Sequence, residues 1–128
     1  MTAMRGQRLF VRALEAGDAE EVREFLTTNG DAHAIPACGL LGKLLGRVVA
    51  VMAIDVSDPD GVRIDGLLVA QDLRRKRIGR VMISELETIA SKMERDWLII
   101  DPSADAREFL RRVGFVEAGD RMMRKVQR

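Results

Sequence analysis

Residues Val69 to Ile83 read V-A-Q-D-L-R-R-K-R-I-G-R-V-M-I, an apolar strand that passes through basic residues and a glycine into a helix. Ile78, Met82, Leu86, Ile89 and Met93 recur at three- and four-residue steps, while Arg80, Ser84, Glu87, Ser91 and Lys92 fall on other sides. The spacing predicts an amphipathic helix with one buried stripe. A strand feeding such a helix, followed by the buried run Trp97-Leu98-Ile99-Ile100, commits the chain to an α/β arrangement in which helices cover a sheet.

The junction also has a chemistry. The first N–H groups of a helix have no partner within it, and the aligned peptide dipoles place roughly half a positive charge there. An anion beside Gly79 would meet free donors and a favourable field, strengthened by Arg74, Arg75, Lys76, Arg77 and Arg80. Glycine at that point leaves room for close approach. Pyrophosphate suits such a junction.

Other readings compete. A basic run before a helix also describes an ordinary solvated loop. Nucleic-acid binding does not fit, because 21 Lys plus Arg face 20 Asp plus Glu and the formal net charge is only +1. Neither G-x-G-x-x-G nor G-x-x-x-x-G-K-[ST] occurs, which sets aside dinucleotide and nucleoside-triphosphate loops of those kinds. The single cysteine, Cys38, and single histidine, His33, form no metal-ligand spacing, and no metal is expected. His33 reads as a surface loop residue and Cys38 as a small buried one. The length of 128 residues, with 47% hydrophobic and 32% charged content, suits one domain spanning 1–128. With no apolar run of membrane-spanning length and no apolar signal core at the N-terminus, a cytoplasmic protein without membrane contact is expected.

Along the chain, Leu9–Leu14 reads as a strand, and a helix begins near Gly17-Asp18, with Asp18 as N-cap and Glu21 three residues on, and stops at Asn29-Gly30. Cys38–Leu41, Leu44–Val56 and Val62–Val69 read as an antiparallel meander punctuated by Gly42-Lys43 and by Ser57–Gly61. After Trp97–Ile100 a second amphipathic helix carries Ala106, Phe109, Leu110 and Val113 on one face. Asp101 or Ser103 would cap it and Gly114 would end it. Phe115-Val116 and Met122–Val126 close the chain as strands, with one of Met122 and Met123 facing inward. The expected order is β-α-β-β-β-α-β-α-β-β, a mixed sheet with helices on its faces.

In that order, and over nearly its whole length, the chain resembles the GNAT superfamily of acyl-CoA N-acyltransferases. The family's pyrophosphate loop, Q/R-x-x-G-x-G/A, is matched by Arg74 at its first place and Gly79 at its last, with Arg77 replacing the middle glycine. A second match is A-R-E-F-L-R-R-V-G-F, similar to the late helix that ends in a Gly-Phe pair, here Gly114-Phe115. The resemblance implies acetyl-CoA as cosubstrate. Backbone amides around Arg74 to Arg80, Ile78 and Gly79 among them, would take the pyrophosphate, and the strand Leu67, Leu68, Val69 would take the pantetheine arm. Its reaction would be direct attack of a primary amine on the thioester in a ternary complex.

Two departures bear on that chemistry. Leu110 holds the place beside the coenzyme where the family often has a tyrosine acid, and the chain has no tyrosine at all. Ser103 holds the place of a frequent asparagine near the pantetheine, where it can still donate one hydrogen bond and act in catalysis or coenzyme binding. A thiol of pKa about 8.5 leaves tolerably without an acid, so loss of the tyrosine slows transfer more readily than it abolishes it. A backbone N–H of the Leu68-Val69 strand would polarise the carbonyl. Asp65 is the first candidate base, on the strand leading to Val69, and Asp101 is the second; beside a bulge at Gly66 the one, and as a helix cap the other, also have ordinary structural readings. Only Asp31 to Ala37 stand where the family usually has a further helix walling the acceptor, so that side is expected to be open or closed by another subunit. The terminal M-M-R-K-V strand could pair two copies. A non-catalytic acyl-CoA-binding or regulatory domain is the alternative.

Overall fold

The computed structural model describes residues 9–29, 35–74, 77–103 and 106–127. Its elements run β1 (Phe10–Ala13), α1 (Ala19–Thr28), β2 (Gly39–Leu44), β3 (Arg47–Asp55), β4 (Gly61–Val69), α2 (Ile78–Lys92), β5 (Trp97–Ile100), α3 (Arg107–Arg112), β6 (Val116–Ala118) and β7 (Arg121–Lys125). This is the expected order, and the described residues between α1 and β2 contain no second helix. The strands form one sheet in the order β1-β2-β3-β4-β5-β7-β6. Only the β4–β5 pair is parallel, because only there does a helix carry the chain back to the same end of the sheet.

The helices lie on opposite faces, and two neighbouring residues establish it. A Cβ at Gly42 would touch Met82 Sδ of α2 at 3.1 Å, while Lys43 Nζ reaches Glu21 Oε1 of α1 at 3.2 Å, and successive strand residues point to opposite faces. Gly42 is therefore the place where α2 presses on the sheet rather than a turn. The expected break at Gly42-Lys43 moves to Leu45-Gly46, whose φ values of 52° and 77° give the left-handed pair a tight hairpin needs. As a result β2 runs three residues beyond the predicted strand end. The core contains Leu40, Leu41, Met52, Met82, Ile83, Leu86, Leu98, Phe115 and Met122. Ile83 and Ala90 are buried on α2, whereas Met93 is 38% exposed and leaves the predicted stripe. Cys38, expected to be buried, is exposed.

Asp18 is buried and stands at the N-cap of α1 as expected, but its side chain makes no capping bond to that helix. A short 3-10 turn over Ala16–Asp18 precedes the helix, and the Asp18 carboxylate accepts from the Glu15 backbone N–H at 2.8 Å and from both Arg12 guanidinium nitrogens at 2.7 and 2.8 Å. The bond ties α1 to β1. The Arg12 guanidinium first, and the Glu15 N–H next, hold this carboxyl well below its ordinary value of 3.8. A depressed folded value means stability present above 3.8 and lost as pH falls below it. Asp18→Asn is accordingly expected to lower Tm at neutral pH, with the gap from wild type closing as the pH is taken from 4 toward 2 in a circular-dichroism melt series.

At the other end of the sheet, Arg95 Nη1 donates to the carbonyls of Val56, Asp58 and Gly61, and Asp60 accepts from the backbone of Asp96 and Trp97. The β3–β4 turn is thereby fastened to the exit of α2. Arg124 Nη2 bonds Glu87 of α2 at 3.0 Å and Arg124 Nη1 bonds the Val113 carbonyl at 2.7 Å, which anchors β7 to both later helices. Neither Asp101 nor Ser103 caps α3 by its side chain; Ala106 stands at the helix start, and its N–H bonds the Ser103 carbonyl. No helix among the described residues is long and apolar enough to cross a membrane.

Candidate functional site

Strand β4 has nine residues, but only Gly61–Ile64 pair with β5. From Gly66 to Val69 it pairs with β3 alone, so the sheet forks between β4 and β5. Ala53 faces Gly66 and the next residue, Ile54, faces Ile64, which leaves Asp65 as the extra residue of a bulge. The bulge was expected at Gly66 and falls one residue earlier. Beyond it, Ala70 N–H bonds the Val49 carbonyl, and by antiparallel alternation Leu68 also turns its polar groups to β3. Those of Leu67 and Val69 point into the fork. The unpaired stretch is five residues, about 16 Å of extended backbone offering donors and acceptors.

The fork opens into a groove of about 650 Å³. Its floor is Leu67, Leu68 and Val69, its end wall is the start of α2 with Arg77, Ile78, Gly79 and Arg80, and its far wall comes from Ser103 and α3. The first bond within α2 runs from Val81 N–H to the Arg77 carbonyl, leaving the N–H groups of Ile78, Gly79 and Arg80 without a helical partner. Gly79 has little space to spare, since an added Cβ would meet Phe109 Cζ at 3.2 Å and Leu67 Cδ2 at 3.7 Å. Arg77, which replaces the family glycine, has φ 64° and ψ 16°, so it adopts the left-handed conformation that glycine accepts without cost.

Among the described residues, Arg74, Arg77, Arg80 and Arg112 line the groove and no acidic residue does. None of the four is ion-paired among the described residues, whereas Arg12, Arg63, Arg107, Arg111 and Arg124 all are. Guanidinium groups without an acidic partner among the described residues, gathered at a helix start, suit the groove to an anion.

Of the residues predicted for coenzyme contact, Leu67, Leu68, Val69, Arg74, Arg77, Ile78, Gly79, Arg80 and Ser103 all line this groove. Arg75 and Lys76 lie outside the described residues, as does His33. Leu110 does not line the groove: it is 2% exposed and belongs to the core, one position along α3 from Phe109, which does. Phe109 and Arg112 were not anticipated. Their signal was present in α3, where residues 109 and 112 are three apart and so share a side of a helix.

Outside the groove, at the closed end of the fork, the last paired row is Ile64, Ile100 and Met122. The next residues on the same three strands are Asp65, Asp101 and Arg121. Arg63 Nε bonds Asp65 Oδ1 at 3.0 Å, and Asp101 lies between two arginines, 4.0 Å from Arg63 Nη2 and 3.8 Å from Arg121 Nε. All four side chains are between 41% and 54% exposed. Asp65 and Asp101 are thus brought near one arginine, and Ser103 stands apart in the groove. No cluster of three His, Cys, Asp or Glu suited to a metal occurs among the described residues.

Residues 6–115 match the model of the acetyltransferase (GNAT) family. Ard1 from Thermoplasma volcanium is similar in structure, with a TM-score of 0.75 at 16% identity over 94% of this chain and 99% of that one. Ribosomal-protein-S18-alanine N-acetyltransferase from Escherichia coli gives 0.73 at 15% identity, covering 94% and 96%. N-acetylglutamate synthase from Neisseria gonorrhoeae, complexed with coenzyme A and N-acetyl-glutamate, gives 0.77 at 15% identity, covering 94% of this chain and 36% of that one. No curated protein matches the chain by sequence.

Proposed function

The chain belongs to the GNAT acetyltransferase family, and from that membership we propose that it transfers an acetyl group from acetyl-CoA to a primary amine, by direct attack in a ternary complex in the cytoplasm. The observation that carries this reading is the groove, with Arg74, Arg77, Arg80 and Arg112, unpaired among the described residues, and a helix start at one end, and a strand edge running inward from them. That layout suits a ligand with phosphates at one end and an amide-bearing arm at the other. The thioester of acetyl-CoA would supply the electrophilic carbonyl. Arg74, Arg77, Arg80 and the N–H groups of residues 78–80 would hold its phosphates, and the backbone of Leu67 and Val69 would align its arm. Arg112 would close over the phosphates from α3.

On the protein side, a backbone N–H of the fork faces the carbonyl oxygen as its charge grows. Asp65, at the bulge, takes a proton from the incoming ammonium, directly or through one water. The neutral amine nitrogen bonds the carbonyl carbon and releases its second proton to water, the carbon–sulfur bond breaks, and the thiolate takes a proton from solvent. No tyrosine is available to give that proton.

The missing tyrosine also favours a second reading, a non-catalytic acyl-CoA-binding domain. Calorimetric titration with acetyl-CoA and with desulfo-coenzyme A, followed by an amine screen for thiol release, separates them. Micromolar binding with turnover supports the enzyme, binding without turnover supports the second reading, and absence of binding removes both.

Arg77 makes a further demand on this reading. Arg77→Gly relieves about 1 to 2 kcal/mol of left-handed strain and adds about 0.5 to 1 kcal/mol of chain entropy to the unfolded state, for a net gain near 0.5 kcal/mol. Its lost charge-assisted bond to phosphate is worth about 1.5 to 3 kcal/mol. The variant is expected to have a slightly higher urea midpoint and at least tenfold weaker acetyl-CoA binding. A midpoint gain with unchanged affinity would remove Arg77 from the site.

A further inference from the structure

We infer that the amine acceptor is a small dipolar molecule, a free amino acid, recognised by the row Arg63, Asp65, Asp101 and Arg121; this rests on the acetyl-transfer reading above. The row's place is the first argument. Asp65, Asp101 and Arg121 each follow the last paired row on three neighbouring strands, so they stand side by side where β4 and β5 part. An amine entering from this side to reach an acyl group held in the fork passes them.

The face they occupy is the second argument. Arg124 points to α2 through Glu87, so Met123, and with it Arg121, points to the opposite face. On that face Arg63, Ile99 and Met123 lie in one cross-strand row, and the charged row is beside them. The helix on this side, α1, has its main sheet contact with β3. Among the described residues the row's four side chains are 41% to 54% exposed, which leaves them open to a small ligand.

Charge selects the class of ligand. Two guanidinium groups and two carboxylates cancel, so a polyamine meets as much repulsion as attraction, whereas a dipole exchanges one internal partner for one external partner at each end. Asp101 has the loosest contacts, at 3.8 and 4.0 Å, both longer than a hydrogen bond. An ammonium between Asp101 and Asp65 would replace those long contacts, and a neighbouring carboxylate would take the arginine side chain so released. Exposed ion pairs contribute little to stability, so the exchange costs the fold little. A peptide N-terminus offers the ammonium but only a neutral amide beside it, which leaves Arg121 unmatched.

The test uses the full chain with acetyl-CoA. Thiol release is followed with each common amino acid, with the carboxamide of each, with spermidine and with short peptides blocked at their carboxyl ends. At least one amino acid is expected to exceed its own carboxamide tenfold in kcat/KM. Arg121→Gln is expected to raise KM for that amino acid about tenfold with kcat changed less than twofold, Arg121→Lys to recover part of the loss, and the dissociation constant for acetyl-CoA to stay within twofold in both. Equal use of acid and carboxamide, preference for spermidine or a peptide, or coenzyme binding without acetylation of any amino acid overturns the inference while leaving coenzyme binding intact. Failure of wild type to bind acetyl-CoA overturns the parent reading and this one together.

Discussion

Gly79→Glu is expected to weaken acetyl-CoA binding by a hundredfold or more. The substitution sets a carboxylate at the second residue of α2, beside the three N–H groups that would face the pyrophosphate. Like charges about 4 to 5 Å apart at an effective dielectric near 20 repel by roughly 3 to 4 kcal/mol, before the loss of space is counted. The fold should tolerate the change. A glutamate in a helix's first turn is favourable to the helix dipole by about 0.3 to 1 kcal/mol, and the nearest obstacle is the edge of the Phe109 ring at 3.2 Å, which must yield by a few tenths of an ångström. Calorimetry beside a thermal melt separates the two effects. A variant that melts near wild type and still binds acetyl-CoA at wild-type affinity would place the phosphates elsewhere.

The second large effect is expected at Asp65. If this carboxylate takes the proton from the acceptor, Asp65→Asn should lower kcat/KM at neutral pH by about 10² to 10⁴-fold. The deficit should shrink as pH rises, because more of the acceptor amine then arrives already neutral and needs no base. Acetyl-CoA affinity should hardly change, since Asp65 does not line the groove. A pH–rate profile from 6 to 10 for both proteins gives the answer. Parallel profiles would dismiss Asp65 as the base, and its bond to Arg63 would then be its whole role.

How much of this was readable from residues alone differs from one element to the next. The β4–α2–β5 unit was legible because a fifteen-residue helix states its period several times over and β5 is a bare apolar run. The β2–β3 turn was misplaced because glycine serves two purposes: Gly42 makes room for Met82, while the true turn places a leucine, Leu45, at a positive φ where asparagine is the usual choice. The phosphate-loop residues were legible as a local motif. The fork was not, since divergence of two strands is a matter of where pairing stops, and nothing in Asp65 or Asp101 alone says that Ile64 and Ile100 are the last partners. Phe109 was read as core and Arg112 passed over because helix periodicity identifies an apolar face but does not say which neighbouring residues will border a groove.

The lone parallel pairing has one more effect. Strands β1 to β4 are joined by antiparallel contacts between neighbours, β5 to β7 form a second such set, and the two sets meet along only the four rows from Gly61–Trp97 to Ile64–Ile100. The groove begins where that seam ends, with β4 on one bank and α3 on the other. A ligand lying in it would lace the two halves of the molecule together. At a hundredfold excess over its dissociation constant, it would add about 2.7 kcal/mol against global unfolding. For a chain of 128 residues whose two sets of strands pair along so short a seam, the cosubstrate would then be a fastening of the sheet as well as a reactant.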